Sequence, residues 1–64
     1  MRKFLVYFKV YTGYNNYTEE ILLNYTKEIV LDQGEKANVE TFKNKLNYLG
    51  WNVVEIFAWS LIEE

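Results

Sequence analysis

The chain contains no cysteine, no histidine and no proline. Without cysteine there is neither a disulfide framework nor a thiolate metal site. Without histidine, imidazole-based zinc sites, histidine-dependent triads and the usual general base near neutral pH are excluded. Glycine is scarce, and Gly13, Gly34 and Gly50 stand alone. None opens a phosphate-cradling loop, which needs clustered glycines ahead of a helix. No apolar run approaches the roughly 20 residues that a membrane-spanning helix requires. Met1-Arg2-Lys3 followed by Phe4-Leu5-Val6-Tyr7-Phe8 has the outline of a signal peptide, but Lys9 breaks the run and no small-residue cleavage site follows. The expectation is a soluble, intracellular protein.

What is present is hydrophobic and aromatic. Half of the 64 residues are hydrophobic and 19% are aromatic, which excludes a disordered tail and predicts one domain over residues 1–64. Seven basic and nine acidic residues leave a formal charge of −2. That is too little positive charge for a dedicated duplex binder and too little negative charge for a phosphate mimic.

Lys3–Tyr11 alternates Phe4, Val6, Phe8 and Val10 with Leu5, Tyr7, Lys9 and Tyr11, the period of a strand. Thr12-Gly13-Tyr14-Asn15-Asn16 reads as a turn. Residues 17–31 fit two patterns. As a helix, Ile21, Leu22, Tyr25 and Ile29 make a stripe. As extended chain, Ile21, Leu23, Tyr25, Ile29 and Leu31 share one face with only Lys27 out of place. The extended reading matches more positions and suits Tyr, Thr, Ile and Val. One long strand is expected, or two short ones bent near Asn24-Tyr25, closed by a turn at Asp32-Gln33-Gly34.

Asn38 reads as an N-cap, followed by a stripe of Val39, Phe42, Leu46 and Leu49, with Gly50 at the left-handed C-terminal position. Trp51–Ile62 returns to period two. Val53, Glu55, Phe57, Trp59 and Leu61 share one face; Val54, Ile56, Ala58, Ser60 and Ile62 share the other. Both faces are largely apolar, which predicts an interior strand. The sequence therefore predicts an α+β domain of ββαβ order: a three- to four-stranded, mainly antiparallel sheet with one helix on one face.

One helix covers one face. Phe4, Val6, Phe8 and Val10, with Val54, Ile56 and Ala58, are expected beneath it. Tyr7, Tyr11, Phe57 and Trp59, with Leu5, Val53 and Leu61, are then expected on the opposite face. A patch of that size normally marks a contact surface, and a second copy of the chain supplies a self-complementary cover. The expectation is a homodimer, by sheet-face packing or strand exchange, with Tyr7, Tyr11, Phe57 and Trp59 in self-association.

No residue is assigned to catalysis, to a metal or to a cofactor. Glu19, Glu20 and Glu28 read as a solvated strand end rather than an acid–base pair, and Ser60 has no histidine to activate it. The aromatic face could stack on bases, but Glu55 accompanies Lys9 there and no positive track is visible. Lys36, Lys43 and Lys45, with Asn44, Asn47 and Glu40, read as a wet helix face able to orient an acidic partner. Tyr14-Asn15-Asn16-Tyr17 has the composition of an adaptable recognition loop. Outward partner binding is therefore assigned to Tyr14, Asn15, Asn16 and Tyr17, with Lys43 and Asn47 as secondary contacts.

The opening Lys3-Phe4-Leu5-Val6-Tyr7, the capped helix Asn38-Val39-Glu40-Thr41-Phe42, the closing Asn52-Val53-Val54-Glu55-Ile56 and the abundance of Asn, Lys, Tyr and Ile resemble the small β–β–α–β proteins encoded by phages and mobile elements of AT-rich bacteria. The resemblance implies a counter-defence inhibitor, of the anti-CRISPR kind, that binds a host protein complex and blocks it sterically. The alternative is a single-stranded nucleic-acid or nucleotide binder using the aromatic sheet face.

Overall fold

The computed structural model describes the backbone of residues 1–15 and 19–64, and the side chains of 1–13 and 21–64. Strands β1 (Arg2–Asn15) and β2 (Glu19–Leu31), helix α1 (Val39–Tyr48) and strand β3 (Val53–Glu63) follow in the expected ββαβ order. They form a three-stranded antiparallel sheet of order β2-β1-β3 with one helix on it. The extended reading of 17–31 holds for the described part. Opposed pairs Phe4–Ile29, Phe8–Tyr25 and Val10–Leu23 place Leu23, Tyr25, Lys27, Ile29 and Leu31 on one face, with Lys27 the exception.

The predicted turn at 12–16 starts too early. β1 runs on to Asn15, and the ladder shifts between Tyr11 and Gly13. Thr12 is the extra residue of this bulge, and its hydroxyl donates to the Ile21 carbonyl at 3.0 Å. Gly13 has φ of +131°, a conformation a side chain disfavours. The glycine serves a kink within a strand rather than its end.

The predicted strand order is also corrected. β1 is central, and β3, expected inside the sheet, is an edge. Its apolar richness has another cause: three register shifts against β1 leave Val54, Phe57 and Ile62 as extra residues. Each shift resets the alternation. Val53, Ile56, Trp59 and Leu61 oppose the inward Val10, Phe8, Val6 and Phe4, while Glu55 opposes the outward Lys9. Strict alternation would have carried Glu55 beneath the helix together with Val53. The bulges keep the carboxylate in water and Val53 and Ile56 inside.

The core comprises Phe4, Val6, Phe8 and Val10 of β1, Ile29 and Leu31 of β2, Phe42 and Leu46 of α1, and Val53 and Ile56 of β3. Val54 and Ala58, expected there, are exposed. Val39 and Leu49, the ends of the predicted helix stripe, are exposed as well, so ten residues of helix bury only Phe42 and Leu46. The caps are as expected. The Asn38 side chain accepts from the Thr41 amide at 2.9 Å. At the other end, Gly50 at φ +101° donates to the Asn47 carbonyl and Trp51 to the Leu46 carbonyl, both at 3.0 Å. That pair of bonds is a Schellman motif, which only a left-handed residue allows.

Candidate functional site

Two surfaces of the sheet are left open by the helix. The first is the face opposite α1. Alternation along β1 places Leu5, Tyr7, Lys9 and Tyr11 there, beside Val30, Glu28, Thr26, Asn24 and Leu22 of β2. From β3 come Ser60, Ala58 and Glu55, with the bulged Phe57, whose ring centroid lies 4.9 Å from that of Tyr7. The Lys9 ammonium stands 5.5 Å above the Phe57 ring, a cation–π arrangement. Leu5, Tyr7 and Phe57 form the apolar centre, each between a third and a half exposed.

Charge on this face is mixed. Lys3 pairs with Glu63 at 3.6 Å, Lys9 lies across from Glu55, and Glu28 is unopposed by a lysine on the neighbouring strand. Carboxylates answer the two lysines. A track for a phosphate backbone needs an uncompensated run of cations, and the described residues of this face do not make one.

The four residues expected to mediate self-association do not share a surface. Tyr7, Tyr11 and Phe57 belong to the open face, but Trp59 lies on the helix side, its ring 5.2 Å from that of Phe42. The bulge at Phe57 moves it there, adding one residue between two aromatics that strict alternation would align. Of the residues expected to bind a partner, Lys43 and Asn47 are the ones whose side chains are described. The side chains of Tyr14 and Asn15, and the whole of Asn16 and Tyr17, lie outside the described residues. Lys43 is exposed on α1. Asn47 is exposed too, and its side-chain oxygen accepts from the Val53 amide at 3.3 Å. The helix ends near the row of Val10 and Val53, so Lys43 and Asn47 are displaced from the far end of β1 by roughly 15 Å or more at about 3.3 Å per residue.

Glu20 and Glu28 are eight positions apart on one strand, about 26 Å, too far for paired acid–base work. No metal-binding group of three or more Asp and Glu occurs among the described residues, and no described helix is long and apolar enough to cross a membrane.

The second open surface was not legible in the sequence. The α1 backbone lies closest to β3, leaving a groove of about 390 Å³ between the helix and the free edge of β2, lined chiefly by Ile29, Val30, Asn44, Lys45, Tyr48 and Leu49. Tyr48 is 91% exposed. The available signal was an aromatic beside Leu49 on the side of the helix away from its buried stripe. Comparison of the chain with known protein families, with curated proteins and with solved structures gives no match.

Proposed function

We propose that this is a non-enzymatic binding module that engages a protein partner through its open sheet face and acts by steric blocking. The observation that carries this reading is the Leu5, Tyr7 and Phe57 cluster. It is an apolar, aromatic centre rimmed by Lys9, Glu55, Thr26 and Glu28, on a face that no other described element covers. An apolar centre with a polar rim is the anatomy of a protein-binding patch. Tyr7 stands on the central strand with its ring against that of Phe57, so little of its side-chain freedom is lost on binding. The narrower form of the proposal, a phage-type counter-defence inhibitor of a host complex, rests on the sequence resemblance and requires the partner to be a bacterial protein assembly.

A second reading, single-stranded nucleic acid stacked on Tyr7, Tyr11 and Phe57, is supported by the aromatics and opposed by the balancing carboxylates. Affinity capture from a bacterial lysate with the full chain and with Tyr7→Ser/Phe57→Ser separates them. The proposal expects one protein or complex on the unaltered chain and its loss on the double variant. Recovery of nucleic acid alone supports the second reading. A protein captured equally by both baits overturns the assignment of this face.

A further inference from the structure

We infer that the free edge of β2 is a self-recognition surface, pairing antiparallel with β2 of a second copy about a two-fold axis at Thr26. This is independent of the open sheet face and of what binds there.

The two edges of the sheet differ. β3 carries three bulges against β1, so its outward amides and carbonyls are out of line, and it ends at the charged Glu63. β2 pairs with β1 without interruption from Leu22 to Leu31, and a regular ladder on one side implies a regular row of unpaired groups on the other. No part of α1 overlies this edge closely.

Antiparallel pairing about a two-fold axis keeps the two sheet faces in register, and the side chains decide where the axis sits. An axis at Lys27 or Glu28 sets like charges against each other. One at Asn24 opposes Lys27 with Ile21 and leaves Ile29, Val30 and Leu31 without partners among the described side chains. One at Tyr25 opposes Glu28 with Leu22 and Lys27 with Leu23. One at Leu23 leaves Ile29 and Leu31 without partners among the described residues. With the axis at Thr26 every opposition from 21 to 31 is compatible. Thr26 meets Thr26, Tyr25 meets Lys27, Asn24 meets Glu28, Leu23 meets Ile29, Leu22 meets Val30 and Ile21 meets Leu31. Lys27, the one charge among the described side chains on the helix-side face of β2, then lies against a tyrosine ring.

The groove fits the same register. Leu23 is 43% exposed because it projects where α1 does not reach. Opposite Ile29 of the second copy, it enters that copy's groove, beside Tyr48 and Leu49. The overhang of one chain supplies what the other lacks, twice per dimer. The product is a six-stranded sheet with both helices on one side and both open faces joined on the other.

The chain has no cysteine, so Thr26→Cys introduces a single thiol at the axis. Ser60→Cys, on β3, is the control. The expected result is a particle of twice 7.7 kDa at micromolar concentration, with rapid disulfide or short bismaleimide cross-linking of Thr26→Cys and none of Ser60→Cys. Val30→Glu, at an exposed position, weakens the dimer severalfold, and adding Leu22→Lys restores it by setting opposite charges across the interface. A monomer at that concentration overturns the inference, as does a dimer that links through Ser60→Cys but not Thr26→Cys. Failure of the charge pair to rescue overturns the register.

Discussion

Glu35 ties together three parts of the chain that the sequence separates. Its carboxylate accepts from the Asp32 amide at 2.9 Å and pairs with the Lys45 ammonium of α1 at 3.1 Å. Its carbonyl accepts from the Arg2 guanidinium, which also donates to the Asp32 carbonyl at 2.8 Å. The amide hydrogen bond, then the lysine, holds the Glu35 carboxyl below its ordinary value of 4.5. The charged form is thus favoured by folding, so its contribution is complete above pH 4.5 and fades as the pH falls toward the lowered folded value. The carboxylate is solvent-accessible, which keeps the effect small and salt-sensitive. Glu35→Gln is expected to be less stable than the unaltered chain at pH 7 and to converge with it on acidification. Chemical denaturation of both chains across that range measures the difference. A gap that persists or widens below pH 4 would show that the side chain acts by packing rather than by charge.

At the scale of elements, α1 and β2 were readable, and β3 was readable as a strand but not in its faces, for one physical reason. Helix limits are written locally: Asn38 and Gly50 do their work within four residues of themselves. β2 keeps a constant register through its apolar half, so its period of two survives from sequence to sheet. The bulges of β3 follow from its fit to β1, and that fit is invisible until the partner strand is known. Trp59 went to the wrong face on that account, and part of the candidate site with it. Gly13 misled in the same way, since a bulge and a turn ask for the same residue. Gly50 allows a test of the local rule. An added Cβ there meets nothing within 4 Å, yet the φ of +101° disfavours any side chain. Gly50→Ala is therefore expected to cost about 1–2 kcal/mol by conformation alone. The measurement is urea denaturation beside Gly34→Ala, whose Cβ also meets nothing and whose backbone is not in the left-handed region. Equal losses at the two positions would remove the Schellman cap from the account of why the helix stops.

The whole molecule is a long plank, 45 × 18 × 14 Å, held down by a helix of ten residues. At about 1.5 Å per residue that helix spans some 15 Å, a third of the long axis. The β1–β2 pair continues past the end of β3, where Val10–Val53 and the bond from the Tyr11 amide to the Asn52 carbonyl, at 3.0 Å, are the last links. Between the helix-covered end and this two-stranded arm stands Trp51. Its ring lies 5.5 Å from Phe8, edge-on at 84°, and 5.1 Å from Tyr25, while its amide closes the helix cap. One side chain thus fastens the end of α1 to the rows where the arm begins. Two-stranded ribbons are marginal in water without a packed face, so the arm's order depends on this contact. Trp51→Ala is expected to destabilise the fold by about 2 kcal/mol, less than a fully buried tryptophan would lose because this one is only partly buried. The loss should be uneven along the plank. Amide hydrogen exchange should accelerate most for Phe8, Val10, Leu23 and Tyr25 and least for Phe4, Val6 and Ile29, which Phe42 still covers through its contact with Phe4 at 5.4 Å. Uniform acceleration would mean that sheet and helix open as one unit, and that the arm has no separate dependence on Trp51.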